Sequence, residues 1–174
     1  ALSNASGFIN ADKQYMKTCL QHYKSFWTRG VDVDVISTGE ELSAYDLVVI
    51  PMLYSLIQAQ IDRIEAYVAQ GGTVVATYAT GYVNDTDLCY LGGFPGNALK
   101  EVFGLTADEI DSLYPTDKNA VDWDGKTYDV VDYCELITPS TAQVLGTYTH
   151  DFYKGMPALL KSSYKAGTAY YIGC

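Results

Sequence analysis

The chain has 174 residues, a net charge of −10 at pH 7 and a hydrophobic fraction of 48%. That length and apolar content suit a single domain over residues 1–174 with a sizeable core. A nucleic-acid-binding protein normally presents a basic face, and 11 basic against 21 acidic residues argue against that class. The same balance argues against an anionic membrane surface as a partner.

The cysteines and the hydrophobic runs indicate the cellular compartment in which the protein resides. The longest apolar run, over residues 47–57, is interrupted and too short to span a bilayer. Residues 1–14 have no basic segment followed by an apolar core, so no signal peptide is predicted. Widely spaced cysteines in a chain of this size predict free thiols in a reducing compartment, and hence a cytoplasmic location. They are Cys19, Cys89, Cys134 and Cys174.

The first segments in chain order are a helix and a strand. Apolar residues recur at helical spacing over residues 12–29, and Gly30 is placed to end that helix. In Val31–Ile36, apolar residues alternate with Asp32 and Asp34, which predicts a strand with one acidic face near a sheet edge.

The next three segments read as strand, helix and strand. The continuous apolar run Leu47–Ile50 predicts a central parallel strand that is covered on both faces. A helical stripe covers residues 58–70, and Gly71 and Gly72 close it. A further apolar strand follows over residues 73–78. Strands joined by crossover helices predict a three-layer, doubly wound α/β sheet of the flavodoxin-like kind. The strand, loop and helix over residues 73–103 invite comparison with class I glutamine amidotransferases, so an amidotransferase-like sheet is the other form of this expectation.

The second half of the chain is strand-rich. A short helix is predicted over residues 97–103 with Asn97 as its N-cap, followed by an acidic turn over residues 108–111. Asp124 and Gly125 predict a hairpin turn within residues 121–128. Together these segments predict an antiparallel extension of the sheet. Further predicted strands cover residues 129–137, 143–149, 158–164 and 168–172.

The long loop after the 73–78 strand is the first place to look for chemistry, because loops at the carboxyl ends of parallel strands carry function. A class I amidotransferase has a cysteine nucleophile on a sharp turn there, with a histidine base farther along the chain. In this sequence the nucleophile position falls near Ala79, and Cys89 lies deep in the loop without a nearby histidine. Cysteine hydrolase chemistry is therefore disfavoured.

Metal, phosphate and glycosidase sites have equally weak signals. Residues 122–125 match only part of a calcium loop, and a hairpin turn explains them better. The glycines at 92, 93 and 96 lack the lysine of a phosphate-binding loop. Paired carboxylates can hydrolyse a glycoside, but the acidic residues here fall in turns and on alternating strand faces. We therefore predict no catalytic residue, no metal and no cofactor in this chain.

Aromatic residues cluster on or beside the long loop, at Tyr78, Tyr82, Tyr90 and Phe94. Tyrosines that combine an apolar face with a polar tip are typical of protein interfaces and of surfaces that contact sugars. Ordinary packing of the loop is an equally good interpretation.

Several segments in order resemble the middle domain of glycoside hydrolase family 42 β-galactosidases. The most specific is the motif Leu91-Gly92-Gly93-Phe94-Pro95-Gly96. The others are residues 23–34, residues 42–54, Gly71-Gly72-Thr73 with Thr77-Tyr78, Thr80-Gly81 with Asn84-Asp85, and residues 167–173. The resemblance covers nearly the whole chain.

That resemblance implies an amidotransferase-like fold without catalytic residues, which holds the parent enzyme as a homotrimer. The parent would be a retaining β-galactosidase that acts on terminal β-D-galactosides, with both catalytic glutamates on a TIM barrel outside this segment. The family's middle domain also begins with a strand before Ala1. The residues predicted to lie at an interface or close to substrate are Tyr82, Asn84, Asp85, Tyr90, Gly92, Gly93, Phe94 and Pro95.

Two other function classes stay open from the residues themselves. One is a self-contained amidotransferase-like or hydrolase α/β enzyme that uses Cys89 or an acidic residue. The other is a sugar-binding module that uses the loop tyrosines.

Overall fold

The structure is a computed structural model that describes residues 15–174. Its helices are α1 (Tyr15–Trp27), α2 (Gln58–Ala69) and α3 (Leu99–Phe103). Its strands are β1 (Leu47–Ile50), β2 (Thr73–Thr77), β3 (Leu105–Ser112), β4 (Asn119–Trp123), β5 (Lys126–Val130), β6 (Tyr133–Pro139), β7 (Gln143–Tyr148), β8 (Pro157–Tyr164) and β9 (Gly167–Ile172).

Seven strands form the main sheet, in the order β1-β2-β9-β8-β7-β4-β5. Strands β1, β2 and β9 run parallel to one another, whereas β8, β7, β4 and β5 continue the sheet from β9 by antiparallel pairing. The predicted antiparallel extension is thus confirmed. Strands β3 and β6 form a separate antiparallel pair. The fold is a mixed α/β architecture in which the parallel part is confined to three strands.

The main core lies between the parallel strands and helices α2 and α3. Ile61 and Val68 of α2 are fully buried and belong to the same apolar cluster as Val74 of β2 and Ala169 of β9. At Gly167 the chain passes so close to α2 that a Cβ atom would collide with the Val68 carbonyl group. Glycine is therefore required where β9 begins.

The predicted strand over Val31–Ile36 is wrong. These residues have no regular secondary structure, and the side chain of Val35 is 85% exposed. A strand needs a hydrogen-bonded neighbour, and within residues 15–174 no strand pairs with the outer edge of β1. For the same reason β1, which was predicted to be central, is an edge strand of the described sheet.

Three other local predictions are also corrected. The acidic residues 108–111 lie in β3 rather than in a turn. Asn97 does not cap α3, because the helix begins at Leu99 after Ala98, and Asn97 itself has φ of 52°. The single strand predicted over residues 129–137 is divided, because Asp132 has φ of 76°, which extended backbone does not allow.

All four cysteines are free thiols, as predicted. The first residues of the predicted 12–29 helix, 12–14, lie outside the described part of the chain, and the rest corresponds to α1. None of the helices in residues 15–174 is long and apolar enough to cross a membrane.

Candidate functional site: the turn after β2 and its loop

The carboxyl end of β2 leads directly into a strained turn at Ala79. Ala79 has φ of 59°, which costs a non-glycine residue on the order of 1 kcal/mol. Thr80 steadies the turn by donating from Oγ1 to the Thr77 carbonyl oxygen at 2.7 Å, and the Thr77 hydroxyl accepts from the Met52 amide at 2.9 Å. The sharp turn that a nucleophile would occupy is therefore present, but its side chain is only a methyl group.

Glu135 of β6 is fully buried directly against this turn. Its Oε1 atom accepts a hydrogen bond from the Ala79 amide at 2.8 Å and a short one from the Tyr82 hydroxyl. Burial raises the pKa of the Glu135 carboxyl above its usual range, and the hydrogen bonds from Tyr82 and Ala79 oppose that rise. Burial and the neighbouring Glu135 together raise the pKa of the Tyr82 hydroxyl.

Sequence reasoning missed Glu135. Its contact with Ala79 spans 56 positions in the chain, which no local pattern encodes. The available signal is a lone acidic residue inside the otherwise apolar run Tyr133-Cys134-Glu135-Leu136-Ile137. A buried charge in such a run is costly unless it is paired, so this glutamate predicts a polar partner from another segment of the chain.

Residues 81–96 form a closed loop, called here the interface loop after the role predicted for it from the sequence. Its two limbs are joined by hydrogen bonds from the Tyr90 amide to the Tyr82 carbonyl at 3.1 Å and from the Gly96 amide to the Gly81 carbonyl at 2.9 Å. The Tyr82 ring stacks on Phe94 with centroids 3.8 Å apart. Tyr82 is only 8% exposed, so it forms the base of the loop rather than its surface.

The tip of the interface loop is exposed and has its own internal order. Asn84 Oδ1 accepts hydrogen bonds from the amides of Thr86 at 2.8 Å and Leu88 at 3.1 Å, an arrangement that fixes a tight turn. Asp85 lies on this turn and is exposed. The tip also presents two leucines to solvent, Leu88 at 65% and Leu91 at 96% exposure.

The Gly-Gly-Phe-Pro segment ties the second limb of the loop to β3. Phe94 exchanges two backbone hydrogen bonds with Ala107, at 2.8 and 2.7 Å. Gly92 and Gly93 have φ of 84° and 86°, and a Cβ at Gly93 would strike Asp108 and lie 3.3 Å from the Ala107 carbonyl oxygen. The Phe94–Pro95 peptide is cis. The glycines are thus required by the backbone path.

The structure divides the eight predicted interface residues by depth. Tyr82 and Pro95 are buried, and Tyr90 is half-buried, with its hydroxyl donating to the Leu56 carbonyl at 2.7 Å. Phe94, Gly93 and Asn84 are half-buried, whereas Asp85 and Gly92 are exposed. The aromatic residues of the loop therefore face inward and form its base, although an aromatic-rich surface was predicted. The exposed apolar part of the loop consists of Leu88 and Leu91, which the prediction missed.

The chemistry available at this end of the sheet is limited. Ala79 offers no nucleophile, and its amide is already bonded to Glu135. Cys89 is exposed on the loop, where the Val83 backbone forms a β-bridge with it. Within residues 15–174, no group of three or more His, Cys, Asp or Glu residues is arranged to hold a metal ion.

Comparison with known proteins identifies the fold and the family. The family model of the β-galactosidase trimerisation domain matches residues 1–174. The chain is 44% identical over 173 residues to β-galactosidase GalA of Bacillus licheniformis, a match that covers 99% of this chain and 26% of the relative. It is 42% identical over 173 residues to β-galactosidase GanA of Bacillus subtilis, again over 99% and 26%.

Solved structures agree with these relatives. A catalytic mutant of Gan42B, a glycoside hydrolase family 42 β-galactosidase from G. stearothermophilus, superposes with a TM-score of 0.94 at 44% identity, over 99% of this chain and 25% of that one. The chain thus spans about a quarter of the length of the curated relatives it matches, 26% for each of the two above. The chain belongs to the β-galactosidase trimerisation domain family.

Proposed function

We propose that this chain is the non-catalytic domain through which a β-galactosidase assembles into a homotrimer. The observation that carries the proposal is the turn after β2, where Ala79 occupies the nucleophile position and its amide is committed to Glu135. A site of chemistry keeps its polar groups available to substrate, whereas this one uses them to hold a loop. Family membership supports self-association as the purpose of that loop.

The interface loop is the proposed contact with another subunit. Its base is rigid, because Tyr82 and Phe94 stack and both limbs are hydrogen-bonded. Its tip presents Leu88 and Leu91 next to the exposed Asp85. Apolar side chains on a rigid support lose little conformational entropy on binding, which favours association. The eight residues predicted from the sequence support or flank this tip. The tip lies at the carboxyl end of β2, from where it would also reach the active site of a neighbouring subunit.

The wider function is proposed by analogy with the relatives. The complete protein would be a retaining glycosidase that hydrolyses terminal β-D-galactosides, with its acid/base and nucleophile glutamates on a barrel domain outside this chain. Residues 1–174 would act as one domain, with a flavodoxin-like or amidotransferase-like arrangement in its parallel part. We also propose a cytoplasmic location, supported by the four free thiols.

The test is a comparison of assembly between two surface substitutions in the full-length protein. Leu91→Ser removes the most exposed side chain of the tip, and Val131→Ser is the control, because Val131 is 73% exposed outside the loop. Sedimentation velocity over a dilution series should show weaker trimers for Leu91→Ser alone. Equal trimer populations in both variants and the unaltered protein would remove the loop from the interface.

A further inference from the structure

We propose that Glu135 is the positioning residue of the interface loop. By accepting hydrogen bonds from the Ala79 amide and the Tyr82 hydroxyl on one oxygen atom, it fastens the loop to β2 and β6 and sets the orientation of the exposed tip. The inference rests on the proposed function for its consequence, weaker assembly, but its structural part can be tested without it.

Stability alone does not account for a glutamate at position 135. It is fully buried, and its Oε2 atom has no hydrogen-bond partner among residues 15–174. The Tyr171 hydroxyl is buried in the same condition. An unsatisfied buried polar atom costs about 1–3 kcal/mol relative to an apolar side chain. A carboxyl group at this site therefore needs a reason beyond packing, and a defined orientation is the reason that its bonded oxygen supplies.

The Oε1 atom of Glu135 joins three segments of the chain through its hydrogen bonds. Ala79 belongs to the strained turn after β2, Tyr82 to the first limb of the loop, and Glu135 to β6, which is outside the main sheet. Because one oxygen accepts both bonds, the distance between the turn and the Tyr82 ring is fixed. A positive φ at Ala79 persists only while its surroundings hold it, and Glu135 supports it together with the Thr80 hydrogen bond.

The position of Tyr82 determines the path of both limbs of the interface loop. Its carbonyl oxygen accepts from the Tyr90 amide at 3.1 Å, just before the exposed Leu91. Its ring lies 3.8 Å from the Phe94 ring, measured between centroids, on the returning limb. Displacement of the Tyr82 ring would therefore move both ends of the tip.

A carboxyl group that positions the loop also makes its fastening sensitive to pH. The titratable groups that face Glu135 are Tyr82 from the loop, Tyr171 from β9, Tyr148 from β7, and Cys174 at the end of the described chain. Burial raises the pKa of Glu135 above its unfolded value of 4.5. The protonated form is therefore favoured by folding, and stability is lost as pH rises from the unfolded pKa through the folded one.

The experiment uses Tyr82→Phe, Glu135→Gln and Glu135→Leu in the full-length protein, with Tyr153→Phe as the control. Tyr153 is fully buried and donates its hydroxyl to Asp111 at 2.8 Å, so its loss removes a buried hydroxyl that contacts neither the loop nor Glu135. Amide hydrogen exchange is measured at Tyr90 and Gly96 in the loop, with Thr168 as the internal reference. Assembly is followed by sedimentation.

We expect Tyr82→Phe to speed exchange at Tyr90 and Gly96 by about tenfold, the effect of losing one strong hydrogen bond, and to leave Thr168 unchanged. Tyr153→Phe should change the loop and reference amides in the same proportion. If Tyr82→Phe changes exchange at the loop amides and at Thr168 in the same proportion, or changes neither rate, Glu135 does not position the loop. Faster loop exchange with unchanged assembly would retain the positioning role and overturn the interface instead.

The conservative variant supplies the second readout. Glu135→Gln keeps an oxygen that accepts both bonds, so trimer dissociation should stay within about threefold of the unaltered protein, whereas Glu135→Leu should weaken it by at least about tenfold. As pH rises above the unfolded pKa of Glu135, the folding constant of the unaltered protein should fall by up to about tenfold per pH unit until the folded pKa is reached, and Glu135→Gln should lack this fall. Parallel pH profiles, or equal amide exchange at Tyr90 and Gly96 in the Gln and Leu variants, would overturn the inference, whereas equal assembly alone would overturn the interface.

Discussion

The rings of Tyr82 and Phe94 lie face to face, with 3.8 Å between centroids and 14° between planes. The pair joins the two limbs of the interface loop, and Tyr54 packs beside it with its ring centroid 5.7 Å from that of Tyr82. Stacked aromatic pairs contribute about 0.5–1.5 kcal/mol beyond the area they bury. The contact is the apolar counterpart of the Glu135 hydrogen bonds beneath it.

Replacing Phe94 with alanine should destabilise the domain by about 2 kcal/mol. The side chain is half-buried, so the loss should be smaller than the 3–5 kcal/mol of a fully buried phenylalanine, but it includes the stacking term. Urea unfolding followed by circular dichroism measures the change. Phe152→Ala is the matched control, because Phe152 is 75% exposed and should cost much less. Equal costs for the two variants would show that the stack contributes nothing.

A second expected effect concerns the close contact between β9 and α2. Gly167→Ala should cost more than about 3 kcal/mol, because the added methyl group meets the backbone carbonyls of Val68 and Gly72, which cannot yield without moving the helix. Gly39→Ala is the control, since a Cβ there meets only the Ser37 hydroxyl at 3.5 Å. Thermal unfolding checks both. If Gly167→Ala unfolds at the same midpoint temperature as the unaltered protein, α2 can shift freely away from the sheet.

The parts of the fold that were correct from the sequence are those with local patterns. The apolar run of β1, the helical stripe of α2 and the Asp124-Gly125 hairpin each encode their structure within a few residues. Val31–Ile36 has an equally clear strand pattern but lacks a pairing partner among the described residues, because pairing is not a local property. The acidic part of β3 looked like a turn because its partner, β6, lies far along the chain.

The candidate site shows the same division between local features, which the sequence reveals, and contacts between distant segments, which it does not. The loop, its glycines and its aromatic residues were visible in the sequence, and so was the absence of a nucleophile at Ala79. Their depth was not visible, because the burial of Tyr82 depends on Glu135 and Phe94, which are distant in sequence. The exposed Leu88 and Leu91 were missed for the converse reason: a leucine beside aromatic residues suggests packing, and only the folded loop directs these two outward.

Three of the four thiols, Cys89, Cys134 and Cys174, should differ sharply in reactivity. Cys89 is exposed on the loop, whereas Cys134 is fully buried, and burial raises the pKa of the Cys174 thiol to about 12. Because the thiolate is the reactive form, a disulfide reagent at pH 8 should label Cys89 first and Cys134 and Cys174 only on unfolding. Mass spectrometry of labelled peptides locates the modified residues, and Cys89→Ser should remove the fast phase. Fast labelling of Cys134 would show that the contact between β6 and the sheet opens readily.

If the chain assembles as proposed, salt should strengthen the assembly. Each copy carries a net charge of −10 at pH 7, so bringing copies together adds like-charge repulsion that dissolved ions screen. The exposed Asp85 adds a negative charge beside the leucines of the tip. Sedimentation at about 0.05 and 0.5 M sodium chloride should therefore give a smaller dissociation constant at the higher concentration, with Asp85→Asn reducing the difference. Assembly that weakens with salt would indicate that oppositely charged groups, rather than the apolar tip, form the contact.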